Sequence, residues 1–163
     1  MRNGRFARKI AIYLAIAALL GASPRCFALL QACTVSASAV SFGPYDPSSP
    51  QAKTATGTVN VSCSAMVGLF ASWTLSMSPG SSASYANRTL INGASTLQYN
   101  LFTSPAYSTI WGNGSAGTVV VSDSQTLLVG NNSYNYPIYG RIPPLQDVRT
   151  GNYSDAIVVT INY

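Results

Sequence analysis

Apolar residues in this chain recur at every second position, and no stretch repeats them at the three-and-four spacing of an amphipathic helix. In "TGTVNVSCS", Val59, Val61 and Cys63 share one face while Thr58, Asn60 and Ser62 take the other. "LFASWTLSM" groups Leu69, Ala71, Trp73, Leu75 and Met77, and "STLQYNLFT" groups Leu97, Tyr99 and Leu101. "GTVVVS" and "SYNYPIYGRI" follow, the second with Tyr134, Tyr136, Ile138 and Ile142 aligned. The chain closes on "SDAIVVTINY", where Ile157, Val159, Ile161 and Tyr163 fall on one face and Val158 is the apolar exception on the other. Turn-forming clusters, "SPGSSAS", "GNGSAG" and "GNNSYN", punctuate these runs. Seven or so short strands separated in this way specify an all-β sandwich. Pro137 inside its run predicts a bulge or an edge position, because proline donates no ladder hydrogen bond.

The formal charge of +5 does not mark a nucleic-acid surface. Arg2, Arg5, Arg8, Lys9 and Arg25 surround the apolar run "IAIYLAIAALL" from Ile10 to Leu20, which is too short for the roughly 20 residues that span a bilayer. With the small-x-small triplet Cys26, Phe27, Ala28, this reads as a secretory signal peptide over residues 1–28, leaving one domain over 29–163. The remaining positives, Lys53, Arg88, Arg141 and Arg149, balance Asp46, Asp123, Asp147 and Asp155. A neutral chain has no footprint for phosphate backbones, so nucleic-acid binding is not expected. Arg25 in front of Cys26 also departs from a lipoprotein signal, so no lipid anchor is expected.

Cleavage leaves two cysteines, Cys33 and Cys63, in an oxidising compartment, where an even pair forms a disulfide. Closing a loop of about 31 residues stabilises a fold by roughly 3 to 4 kcal/mol in the chain-entropy treatment. Both cysteines sit on inward faces, so the bridge would join the first strand to the second inside the sandwich.

The chain has no histidine and no glutamate. It therefore lacks an imidazole base for a serine or cysteine nucleophile and a His ligand for zinc, and it has only four aspartates for a carboxylate pair. No enzymatic activity and no cofactor are expected. "GNGSAG", Gly112–Gly117, matches G-x-G-x-x-G, but a strand-like "TVVV" follows it where a dinucleotide site needs a helix. Trp111, Tyr134, Tyr136 and Tyr139 have the aromatic faces that stack on sugars, and equally the bulk that fills a core or its rim.

Taken in order, "CTVSASAVSFGPYDP", "GTVNVSCS", Arg88-Thr89-Leu90 with "LQYNLFT", "TIWGNG", "IYGRIPPLQ" and "GNYSDAIVVTINY" resemble the spore coat protein U domain, the subunit family of archaic chaperone-usher pili. The resemblance runs from Cys33 to Tyr163. It implies an immunoglobulin-like sandwich lacking its final strand, exported through the periplasm to a surface fimbria that supports adhesion and biofilm formation. Its implied partners are a periplasmic chaperone, an outer-membrane usher and other subunits. It further implies a hydrophobic strand-acceptor groove walled by Ile157, Val159, Ile161 and Tyr163, filled by β-strand addition. The lead into Cys33 departs from the family pattern. Cleavage after Ala28 leaves "LLQA", and cleavage after Ala22 leaves "SPRCFALLQA", which carries a proline, an arginine and an odd thiol. Neither makes a good donor strand, so the sequence predicts a subunit that accepts a strand without giving one, as at a tip. The alternative is a secreted coat-type protein or tip adhesin that binds a glycan or an abiotic surface. A mature N terminus well before Ser23 would contradict the acceptor-only expectation.

Overall fold

A computed structural model describes residues 31–163. The expected signal peptide, residues 1–28, lies outside the described residues. Eight strands follow one another: β1 Gln31–Ala37, β2 Lys53–Ala65, β3 Leu69–Met77, β4 Arg88–Asn92, β5 Ser95–Phe102, β6 Val121–Leu127, β7 Gly130–Ile142 and β8 Val159–Asn162. A single 3-10 turn, Gly80–Ser82, is the only helical element among the described residues. One sheet has the order β1-β2-β7-β5-β4 and the other β6-β3-β8, with every pairing antiparallel. The all-β sandwich expected from the alternation is therefore present.

The longest pairing, β2 with β7, runs without interruption from Lys53 opposite Ile142 to Ala65 opposite Gly130. This register turns Val59, Val61, Cys63, Ile138 and Ile142 inward, all of them buried. A slip of one residue would send the whole set to solvent, which is why the apolar alternation fixes the register. From the facing sheet, Ala71, Trp73, Leu75, Met77 and Leu127 complete the core with Leu97, Tyr99 and Leu101 of β5. Fully burying a side chain such as Leu75, which is 0% exposed, contributes roughly 1.5 to 3 kcal/mol.

Three local expectations need correction. The strand expected at "GTVVVS" begins only at Val121 and continues through "SDSQTL". Val119 is drawn instead into a parallel bridge with Trp111, its N–H donating to Ile110 and its carbonyl accepting from Gly112. "GNNSYN" is strand rather than turn, because the turn closes earlier: the Asn132 amide accepts from the Leu128 N–H and donates to the Leu128 carbonyl, leaving Gly130 to take the positive φ. Pro137 makes no bulge. It lies opposite Thr58, whose carbonyl accepts from the Ser38 N–H and whose N–H donates to Ser38 Oγ, so this pair exchanges no ladder bonds. On its other flank β5 pairs only with Tyr139–Arg141 and stops short of Pro137, so the position is edge-like inside a central strand.

Two strand glycines also have a structural reason. A Cβ at Gly57 would come within 2.8 Å of Val40 Cγ2, and one at Gly140 within 2.6 Å of Val40 Cγ1 and 2.8 Å of Phe42 Cζ. The segment after β1 passes directly over these bare backbones, which lets Val40 and Phe42 pack on the core.

Candidate strand-acceptor groove

One edge strand of each sheet borders the same cleft: β1 closes one sheet and β8 the other, and Ala37 and Val159 both line it. Antiparallel pairing makes alternate residues turn their backbone groups toward the neighbour and away from it. Just past β3, Ser78 donates to the Val158 carbonyl, while Met77 at the end of β3 donates to the Gly112 carbonyl on the opposite side. In β8, therefore, Thr160 and Asn162 face β3 with their N–H and C=O, and Val159 and Ile161 turn theirs to the open edge. The same alternation in β1, where Ser38 bonds Thr58, turns Val35 and Ala37 outward.

Beneath these edges lies a cleft of about 400 Å³. Met77, Leu101 and Ile138 form its buried floor; Val40, Phe42, Ile157 and Val159 form its sides, and Asp155 lies at its margin. Of the four residues expected to wall a groove, Ile157 and Val159 line this cleft. Ile161 is half-buried against the core further along β8, and Tyr163 is 60% exposed, beside a shallow depression with Trp73 and Asp123. Ile157 precedes the strand, since β8 begins at Val159.

Cys33 and Cys63 form a disulfide within the β1–β2 pairing, between directly opposite residues whose Cα atoms are 4.1 Å apart. That close approach is typical of a pair that exchanges no backbone hydrogen bonds. The bridge ties the groove-side edge strand to the core.

Two polar side chains to which the sequence assigned no role organise the surroundings of the cleft. Arg88 is 0% exposed. Its Nη1 donates to Asn100 Oδ1 at 2.9 Å, Nε and Nη2 to the Ser78 carbonyl at 3.3 and 2.8 Å, and Nη2 also to the Trp111 carbonyl at 2.8 Å. Burial lowers its pKa, with partial compensation from Tyr99, Tyr85 and Asp155. Its isolation was the available signal: it is the only Lys, Arg, Asp or Glu between Lys53 and Asp123.

Asp155 is the second. Burial acts to raise its pKa, but hydrogen bonds from Ser81, Tyr99 and Ala156 outweigh it, and the carboxyl sits below the usual range. Tyr99 is pushed well above its ordinary value by burial and then by the bond to Asp155. Asp123 is lowered chiefly by the hydrogen bond from Tyr136, whose hydroxyl also accepts from Trp73 Nε1. Each of these two aspartates is held by its own donors.

The aromatic set divides. Trp111 is 0% exposed and donates its Nε1–H to the Leu75 carbonyl, so its ring is unavailable to a sugar. Tyr134 packs on Trp73 at 5.1 Å between ring centroids, and Tyr136 is bonded as above. "GNGSAG" is a loop closed by Asn113 and Thr118, and no helix follows it.

These features define a two-sheet β-sandwich with two edge strands bordering an apolar cleft. The profile of the Spore Coat Protein U domain matches residues 17–160, and the chain belongs to that family. No curated protein matches the chain. Among solved structures, it is similar to a chain of the CsuC–CsuE chaperone–tip adhesion subunit pre-assembly complex from the archaic chaperone-usher Csu pili of Acinetobacter baumannii. The identity is 18% and the TM-score 0.57, over 82% of this chain and 40% of that one, a likeness of fold. This chain thus spans well under half the length of the solved chain it matches.

Proposed function

We propose that the protein is a non-enzymatic structural subunit of a surface fimbria, completed by a β-strand supplied in trans. One observation carries the reading: two edge strands, β1 and β8, border the same apolar cleft with outward-turned backbone groups. A sheet edge of this kind is a template for strand addition, in which main-chain bonds give affinity and alternate side chains fill pockets. Family membership and the likeness of fold to a chain of the Csu chaperone–subunit complex support the same reading. In it, residues 1–28 direct export and are removed, a periplasmic chaperone fills the groove first, and another subunit replaces it at an outer-membrane usher. The assembled fibre then serves attachment and biofilm formation. Periplasmic co-expression with a pilus chaperone should yield soluble protein as a one-to-one complex. A stable monomer recovered in equal amount without the chaperone would contradict the proposal.

A separate observation favours a second reading, that of an adhesive end binding an apolar abiotic surface. Met66 and Val67 in the β2–β3 turn, Leu128 and Val129 in the β6–β7 turn, and Phe70 nearby are each 47 to 71% exposed. Both turns sit at one end of the sandwich, since Ala65 pairs with Gly130 and Leu69 with Leu127. No charged residue lies in 64–72 or 124–133. Contiguous exposed apolar patches on soluble proteins mark interaction sites. Phe70→Ser with Leu128→Ser should reduce adsorption to polystyrene severalfold while leaving the melting temperature within a few degrees. Unchanged adsorption would remove this reading.

A further inference from the structure

We propose that Asp155 is the positioning residue of the groove, holding the chain ahead of β8 so that Ile157 forms the wall an incoming strand packs against. The inference rests on the strand-acceptor reading. On one side of this segment, Ser154 and Ile91 exchange two backbone hydrogen bonds, at 2.8 and 3.2 Å. On the other, the Val158 carbonyl accepts from the Ser78 N–H and the Val158 N–H donates to Ser78 Oγ. Between these clamps, residues 155–157 belong to no ladder. Their placement falls to the Asp155 carboxylate.

Asp155 Oδ1 accepts from the Ser81 N–H at 2.9 Å, Ser81 Oγ at 2.7 Å and the Ala156 N–H at 2.8 Å, while Oδ2 accepts from Tyr99 OH at 2.7 Å. One side chain thus joins the 3-10 turn, β5 and the approach to β8. Gly80 completes the seat. A Cβ there would collide with the Asp155 carboxylate and come within 2.9 Å of Ile157 Cδ1, and its φ of +74° suits glycine. The space left by that missing side chain holds the carboxylate and the groove-wall isoleucine together.

The probe is a fluorescently labelled peptide of about eight residues alternating valine with threonine between terminal lysines, which at ~3.3 Å per residue spans the groove. Its binding to the exported wild-type protein is compared with Asp155→Asn and Asp123→Asn. The second variant breaks a similar Tyr–Asp bond, Tyr136 to Asp123 at 2.7 Å, away from the cleft, and controls for a purely structural loss. The expected result is peptide affinity lowered at least tenfold in Asp155→Asn and within twofold of wild type in Asp123→Asn, at a temperature where both are folded. Equal affinities for the two variants would overturn the positioning role alone. Failure of the wild type to bind would overturn the groove reading and this inference with it.

Discussion

Arg88→Ala is expected to destabilise the fold by about 3 to 5 kcal/mol, because each buried acceptor left without its donor costs about 1 to 3 kcal/mol. Against a typical total of roughly 5 to 15 kcal/mol, such a loss is a fifth or more of a small domain's stability. The guanidinium bonds the carbonyls of Ser78 and Trp111 and the side-chain oxygen of Asn100 in a fully buried site. Alanine would strand the two carbonyls in a dry interior and open a cavity of arginine size. Asn100 in turn donates to the Tyr85 and Ala86 carbonyls, so the loss extends to the loop before β4. Lysine would not rescue the site, because an ammonium cannot reproduce the planar fork that reaches three acceptors. Urea unfolding measures the effect directly. A loss under 1 kcal/mol would mean that water replaces the guanidinium freely.

Removing the disulfide with Cys33→Ala and Cys63→Ala is expected to cost about 3 to 4 kcal/mol, the chain-entropy value for a loop of this length. β1 pairs in its sheet only with β2, and the bridge pins that pairing at Cys33 opposite Cys63. Without it the edge strand frays first, so the loss should appear as early amide exchange in β1 before global unfolding. An unchanged urea midpoint would show that backbone pairing alone holds β1.

The alternation made β2, β3, β5 and β7 legible, because a side chain's face in a strand depends on parity alone. Val59, Val61, Trp73, Leu75, Leu97 and Ile138 could therefore be assigned to the core before any pairing was known. The cysteine pair was legible for a different reason, since the expected removal of residues 1–28 leaves one partner for each thiol. β6 was misplaced because three consecutive valines outweigh "SDSQTL" in any apolar pattern, whereas Val119 is claimed by Trp111 across a loop. The roles of Arg88 and Asp155 could not be read because their partners are mostly backbone atoms and hydroxyls gathered from distant segments. Sequence spacing carries no trace of a carbonyl's direction. The cleft was half legible: parity placed Ile157, Val159 and Ile161 on one face, but only the folded chain brings the end of β1 to the same cleft as Ile157 and Val159.

That shared cleft yields the most direct test of strand acceptance, which is amide exchange along β8 with and without the valine–threonine peptide. In the free protein Val159 and Ile161, whose N–H groups turn to the open edge, should exchange fast, while Thr160 and Asn162, bonded to β3, should be protected. Adding the peptide should slow Val159 and Ile161 and leave Thr160 and Asn162 unchanged. If the peptide protects none of the four, or if Val159 and Ile161 are already slow in the free protein, the groove does not accept a strand at β8.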